Sequence, residues 1–247
     1  MSGQATEALP PVDGFVAEVS VPPVPDAPIS PDPVTPESLA PAEPEAPPAW
    51  EPREPVDPVA LDTLFRHGRT HYAWRDMPVE DSKLRELFEL LRMGPTSANC
   101  SPARFLFLRS QWAKERLKPL LSVGNQGRAM AAPVVVIVAH DPHFYHMMWR
   151  LYPRDDAKEW FANNPPFAEE TAFRNGTLQG AYLILAARAV GLDTGPMSGF
   201  DNAKVDAEFL TDRGWKSNFL VALGHGDAAA LPAQPPRLSF DEACVLL

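Results

Sequence analysis

Two rhythms of apolar positions run through residues 59–247. Leu84, Leu87, Phe88 and Leu91 recur at i, i+3, i+4 and i+7, one face of a helix over Ser82–Met93 that Gly94 closes and Pro95 keeps closed. Leu61, Leu64 and Phe65 predict a helix over Val59–His67, and a further helix is expected over Ala113–Leu121. Continuous apolar content predicts strands at Arg104–Arg109 and Ser217–Gly224. Between them, Pro133–Ala139 with Val134-Val135-Val136-Ile137-Val138 is expected to be a central strand covered on both faces. The longest helix runs over Phe167–Val190 and stops at Gly191. Its small residues Ala172, Gly176, Gly180, Ala181 and Ala187 would let another helix approach closely. Residues 140–166 scatter Trp, Tyr and Pro among charges, and short helices in a mobile excursion are expected there. Asp201 caps a short helix through Phe209, and Ser239-Phe240-Asp241-Glu242 has capping-box spacing before a terminal helix. Helices and strands mix without a strict βαβ alternation, which predicts an α+β fold: a mixed central sheet with helices on both faces.

Composition changes the picture at one end only. Residues 1–58 hold 16 of the 29 prolines, eleven of the 32 acidic residues and the single base Arg53. The whole formal charge of −10 therefore sits in this segment, and residues 59–247 are electrically balanced. So much Pro with so few large apolar side chains cannot offset the cost of ordering the backbone, so 1–58 is expected to be a disordered, partly polyproline-II tail. It has neither the basic start and apolar core of a secretory signal nor the Arg-rich character of a transit peptide. No apolar run is long enough for a bilayer span, and Cys100 and Cys244 make no disulfide framework. The expected location is the cytoplasm. A neutral body and acidic tail exclude the basic footprint that nucleic acid requires. Residues 59–247 are enough for one domain with a sizeable core.

Three polar clusters carry candidate chemistry. Arg69-Thr70-His71, with Arg75, offers guanidinium forks beside a hydroxyl, which suits a phosphate. Pro95-Thr96-Ser97-Ala98-Asn99-Cys100-Ser101-Pro102 is stiff, polar and short of bulk, and its donors and acceptors suit the edge of a heteroaromatic ring. Gly191-Leu192-Asp193-Thr194-Gly195-Pro196-Met197-Ser198-Gly199-Phe200-Asp201 lets backbone N–H groups point at a flat ligand. Other features carry less. His140, His143 and His146 share a helical spacing that Asp141-Pro142 interrupts, and too few other ligands surround them for a metal, so none is expected. Cys100 lacks a neighbouring base and is expected to pack. Gly224-His225-Gly226 is not a dinucleotide fingerprint.

Pro95-Thr96-Ser97-Ala98-Asn99 with Pro102 resembles the P-[ST]-S-x-N-x-[QS]-P loop of the nitroreductase family of flavoproteins, and the 191–201 segment is similar to that family's G-L-[DG]-x-x-[PW]-x-x-G-[FY] run. Order and spacing agree across residues 59–247, and the acidic tail lies outside the resemblance. Arg69-Thr70-His71, Gly94 through Arg104, Glu169-Glu170-Thr171-Ala172-Phe173-Arg174-Asn175 and Pro236-Arg237-Leu238-Ser239-Phe240 with Glu242-Ala243-Cys244 resemble one branch, the malonic semialdehyde reductases of the Rut pyrimidine-utilisation pathway.

The resemblance implies FMN held without a covalent bond at the interface of an interlocked homodimer. Pro95, Thr96, Ser97 and Asn99 would line the flavin from the facing subunit. Arg69, Thr70 and His71, with Arg237, would hold the phosphate and ribityl chain. Asn125 and Arg128 would face the pyrimidine edge, and Pro196, Met197, Ser198 and Gly199 would run beneath the ring. His71 stands where the wider family more often has Ser, and Ser198 where many relatives have Glu. Small residues of the long helix would form the dimer seam. NADPH or NADH would be the reductant, needing no separate dinucleotide domain. Arg104 or Arg75 would pair with a substrate carboxylate. The alternatives are a general nitro- or quinone reductase and a flavin-binding scaffold whose tail recruits partners.

Overall fold

A computed structural model describes residues 54–247, so most of the segment expected to be a disordered tail lies outside the described residues. The body opens with α1 (Pro58–Leu61), which widens into a π turn over Asp62–Arg66; Asp57 caps it by accepting the Val59 N–H at 2.7 Å. Then come α2 (Asp81–Leu91), β1 (Ala103–Leu108), α3 (Gln111–Leu117), α4 (Val123–Ala131) and β2 (Val134–His140). The 140–166 excursion holds α5 (Met148–Leu151) and α6 (Ala157–Ala162), and α7 (Pro165–Ala189) follows. β3 (Asp193–Met197), α8 (Asn202–Val205), β4 (Lys216–Gly224) and α9 (Phe240–Ala243) complete the chain.

The sheet has the order β1-β2-β4-β3, and every neighbouring pair is antiparallel. The expectation of a mixed sheet is corrected here. Among the described residues the one parallel contact is an isolated bridge, Thr70 to Thr194, where the chain before Trp74 runs along the free edge of β3. β2 is buried at all seven positions, as a strand covered on both faces must be. On one face Leu87 and Leu91 of α2 and Leu183 and Ala187 of α7 pack against Val134, Val136, Val138 and Leu223. On the other, Leu117, Leu121, Ala129 and Val205 pack against Val135, Ile137, Leu220 and Met197. Each fully buried Leu contributes about 1.5–3 kcal/mol relative to exposure. A third cluster seats the excursion on the N-terminal half of α7, with Phe144 and Phe161 edge to face at 4.8 Å beside Cys100 and Ala172.

The small residues of α7 serve this chain's own sheet. A Cβ at Gly180 would lie 2.5 Å from the Phe219 ring and 3.1 Å from Val138, and one at Gly176 would meet the Cβ of His140 at 3.0 Å. Ala172 and Ala187 are fully buried in the same way. Four of the five small residues expected to face a partner subunit, Ala172, Gly176, Gly180 and Ala187, therefore face inward, and Ala181 alone of them lies on the exposed face of α7, with Phe173 and Leu178.

Candidate functional site

Gly191 takes φ +79°, which turns the chain out of α7 and into β3, an edge strand that tolerates Pro196 because a central one would need its N–H. At the start of β3, Asp193 accepts the backbone N–H of Gly226 at 2.9 Å and faces Nε2 of His71 at 3.3 Å. The His71 N–H donates to the Thr194 carbonyl at 3.0 Å, and a Cβ at Gly195 would lie 2.5 Å from the His71 carbonyl oxygen. These contacts bring Arg69, Thr70 and His71 onto the edge of β3. A cavity of about 310 Å³ lies there, lined by Arg69, His71, Arg75, Asp193 and His225 among others. Arg69 donates to the Pro232 carbonyl. The His71 ring is 5% exposed and lies against the backbone of Gly226, so at this cavity the accessible cationic groups are the guanidiniums of Arg69 and Arg75, with the His225 imidazole beside them. Nδ1 of His71, which lines the cavity, has no hydrogen-bond partner among the described residues; nor does the buried Thr194 hydroxyl on the other face of β3.

At the other end of β3 the carbonyl of Gly199 accepts three donors: the Ser122 N–H at 3.0 Å, the Ser122 hydroxyl at 2.8 Å and Nδ2 of Asn125 at 2.8 Å. A Cβ at Gly199 would lie 2.4 Å from the Ser122 hydroxyl, so only glycine permits this approach. The contact fixes the amide of Asn125 and leaves its Oδ1 free to accept. One turn further along α4, the Arg128 guanidinium lies 4.3 Å from the centre of the Tyr72 ring, and the indole N–H of Trp74 donates to the Arg128 carbonyl at 3.3 Å. Asn125, Arg128 and the 69–75 segment thus converge along one strand. Ser198 is exposed, Pro196 half-buried, and the Met197 side chain is 6% exposed in the core, so only its backbone is available to a ligand.

The Pro95–Arg104 loop is held in an unusual conformation. Ala98, Asn99 and Ser101 all have positive φ, between 40° and 50°, which non-glycine residues seldom adopt. Three hydrogen bonds over-determine it. The Ser97 N–H donates to Oδ1 of the buried Asn175 at 2.8 Å, and the Ser101 N–H to the Thr96 hydroxyl at 3.1 Å. Nδ2 of Asn99 donates to the Leu151 carbonyl at 2.8 Å. Pro95, Ser97 and Asn99 are left exposed at the surface while Cys100 beneath them is fully buried. Burial pushes the Cys100 thiol up to about 11, against the hydrogen bonding with Thr96, which makes it a packing residue. Arg104 is ion-paired with Asp141 at 2.8 Å, whereas the Arg75 side chain is exposed.

The loop enters β1 and the Pro196–Gly199 run leaves β3, at opposite edges of the sheet. Three strand spacings, about 14 Å, separate them. One chain does not bring the two clusters together. Arg237 bonds to the carbonyls of Pro235 and Pro236 in an exposed C-terminal segment, apart from the Arg69 cavity. His140 is buried and bonded to Glu169 at 3.1 Å, and no His, Cys, Asp and Glu cluster fit for a metal occurs among the described residues. Among those residues no helix is long and apolar enough to cross a membrane.

The profile of the Nitroreductase family matches residues 66–225, which span both clusters. The chain belongs to the nitroreductase family. Solved structures share the fold. The protein ydfN of Bacillus subtilis, assigned as a nitroreductase, is 21% identical with a TM-score of 0.70, over 76% of this chain and 99% of its own. A protein of Exiguobacterium sibiricum assigned as a nitroreductase, solved in complex with FMN, is 19% identical with a TM-score of 0.65, over 79% and 99%. A protein of Staphylococcus epidermidis assigned as an NAD(P)H:FMN oxidoreductase is 19% identical with a TM-score of 0.68, over 76% and 95%. Two residues that brace these candidate clusters were not among those expected from the sequence. Asn175 gave a signal, an amide at helical spacing from Ala168 and Ala172 in a long helix, where a buried polar group must find a partner. Ser122 gave none, because its role depends on where Gly199 arrives.

Proposed function

We propose that this nitroreductase-family protein is an FMN-dependent NAD(P)H oxidoreductase acting as a homodimer, and that its physiological reaction is the reduction of malonic semialdehyde to 3-hydroxypropionate in pyrimidine degradation. One observation carries the first part: the exposed Pro95–Asn99 loop and the β3 cluster are both shaped for a flat anionic ligand yet lie at opposite edges of one sheet. A two-fold pairing of subunits, each lending its loop to the other's β3 edge, makes two complete sites. The FMN complex of the Exiguobacterium sibiricum relative and the assignment of the Staphylococcus epidermidis relative support the same cofactor.

The residues fit FMN. Arg69 and Arg75 around the 310 Å³ cavity suit its phosphate. Oδ1 of Asn125, aligned by the Gly199 contact, accepts a ring N–H, and Arg128 supplies a cation at the edge where charge builds up on reduction. Bound FMN supplies the two-electron chemistry, taking hydride from NADPH or NADH and passing it to an acceptor. The protein positions both substrates in turn over the same face, which excludes water and orients the transfer. Arg104 and Arg75 are the candidates for the acceptor's carboxylate. The choice of malonic semialdehyde rests on the sequence resemblance to that branch alone; within its Glu169–Asn175 string, Asn175 secures the candidate loop and Glu169 bridges His140 and Lys216.

The test is direct. The purified chain should be yellow, bleach anaerobically with NADPH or NADH, and recolour with malonic semialdehyde faster than with nitroaromatics or quinones. Preference for a nitroaromatic or quinone would make it a general reductase of the same fold. A yellow protein that no reductant bleaches would be a flavin-binding scaffold.

A further inference from the structure

At the end of the sheet where β1 and β4 begin and β2 ends, a cavity of about 540 Å³ is lined by Arg104, Asp141, His143, His146, Arg213 and Trp215 among others. Of its basic groups Arg104 is half-buried and held in place, while Arg213, His143 and His146 are exposed around it. Arg104 is fixed by the Asp141 carboxylate and by the carbonyls of Ser101 and Ala103, at 2.8, 3.1 and 2.9 Å. Gly214, at φ +63°, reverses the chain after the Thr211–Arg213 turn, and Arg213 folds back with its guanidinium 5.4 Å from the Trp215 ring centre. Arg104 approaches the same indole at 5.7 Å. The rings of His143 and His146 stack at 6.1 Å. Asp141 spends its charge on Arg104 and its second oxygen on the His143 N–H at 2.9 Å. Among the described residues, Arg213, His143 and His146 make no side-chain hydrogen bond or ion pair. The cavity therefore presents unanswered donors and one uncompensated guanidinium around an aromatic wall.

We propose that this cavity is an anion subsite that receives a carboxylate or phosphate group, with Arg213 as its principal donor and Trp215 holding that guanidinium in place. A planar fork stacked on an indole loses little entropy on accepting two oxygens. Through the Ser101 carbonyl the subsite is joined to the strained Pro95–Ser101 loop, so a ligand here lies next to the candidate flavin loop. Which molecule supplies the anion, the reductant's 2′-phosphate or the acceptor's carboxylate, rests on the flavoenzyme reading above; binding of an anion does not.

The experiment titrates malonate and inorganic phosphate into the full chain by calorimetry, with wild type and Arg213→Gln, each first checked for the same melting temperature. At least one probe should bind the wild type, and the variant should bind it about tenfold more weakly, the loss of a charge-assisted contact. Absence of binding to the wild type, or equal binding by both proteins, overturns the proposal. Steady-state arms name the source. A raised KM for NADPH with NADH unchanged assigns the 2′-phosphate, and a raised KM for a carboxylated acceptor with an uncharged quinone unchanged assigns the acceptor. A chain that binds the anion but turns over nothing would sink the flavoenzyme reading and leave the subsite standing.

Discussion

The side-chain oxygen of Asn175, buried in the middle of α7, accepts the backbone N–H of Ser97 at 2.8 Å, while its Nδ2 donates to the Thr171 carbonyl at 2.8 Å. One amide thus ties the candidate flavin loop to the core helix that spans the sheet. Replacing Asn175 by Leu keeps the branched outline of the side chain and removes the acceptor. The variant should lose about 1–3 kcal/mol of stability, because the Ser97 N–H loses its partner. It should also release flavin more readily than wild type in a dialysis assay followed at the flavin absorbance. Unchanged retention would separate the loop from cofactor binding.

Gly180→Leu acts on the core. The added side chain meets Phe219 and Val138, so overpacking should cost about 1–3 kcal/mol or more. The urea midpoint should fall, while the subunit mass in light scattering below the transition should not change. Dissociation without loss of subunit stability would return Gly180 to the partner interface.

Glu169 lies between His140 and Lys216, at 3.1 and 3.0 Å. Burial alone would raise its carboxyl, but the hydrogen bonds from His140 and Lys216 outweigh burial and hold it below its ordinary 4.5. A carboxyl depressed in the folded state contributes stability above its unfolded value, and the contribution is lost as pH falls through the folded value. Glu169→Gln should therefore flatten the decline in stability below about pH 4.5, measured as urea midpoints at pH 6, 4.5 and 3.5. An equal decline in both proteins would show the pair to be energetically silent.

The two thiols should differ sharply. Cys244 is exposed and Cys100 fully buried with its thiol pushed up to about 11. A thiol-exchange reagent at pH 8 should react quickly with one cysteine and reach the second only on unfolding. Two fast equivalents in the native protein would mean that the loop opens.

Strong periodicities were legible to within two residues. The spacing of Leu84, Leu87 and Leu91 marked α2, the Val134–Val138 run marked β2, and Gly191 marked the end of α7. β3 was not legible as a strand. Asp193-Thr194-Gly195-Pro196-Met197 has no strand propensity, and its extended form comes from pairing with β4 across an edge that forgives proline. α4 went unseen for a related reason: Gly124 and Gly127 weaken its pattern, and burial of Asn125 and Ala129 makes up the deficit. The inward packing of Gly176 and Gly180 was misjudged because α7 has small residues toward the sheet and large apolar ones, Phe173 and Leu178, outside. Spacing cannot say which face meets a partner. The candidate segments stood out because phosphate and ring recognition demand Arg, Asn and Gly types. Its division between two sheet edges was not, since that depends on strand order.

Subunit mixing tests the central claim most directly. A Ser97→Trp variant blocks the loop, and an Arg69→Ala, Arg128→Ala double variant disables the β3 edge; each alone should retain little FMN. If one flavin contacts both elements across two subunits, co-expressing the variants creates heterodimers in which one of the two sites is intact. Flavin content should then recover to about a quarter of the wild-type value per subunit, as random two-fold pairing requires. No recovery in the mixture, with the heterodimer shown to be present, would contradict a site shared between subunits.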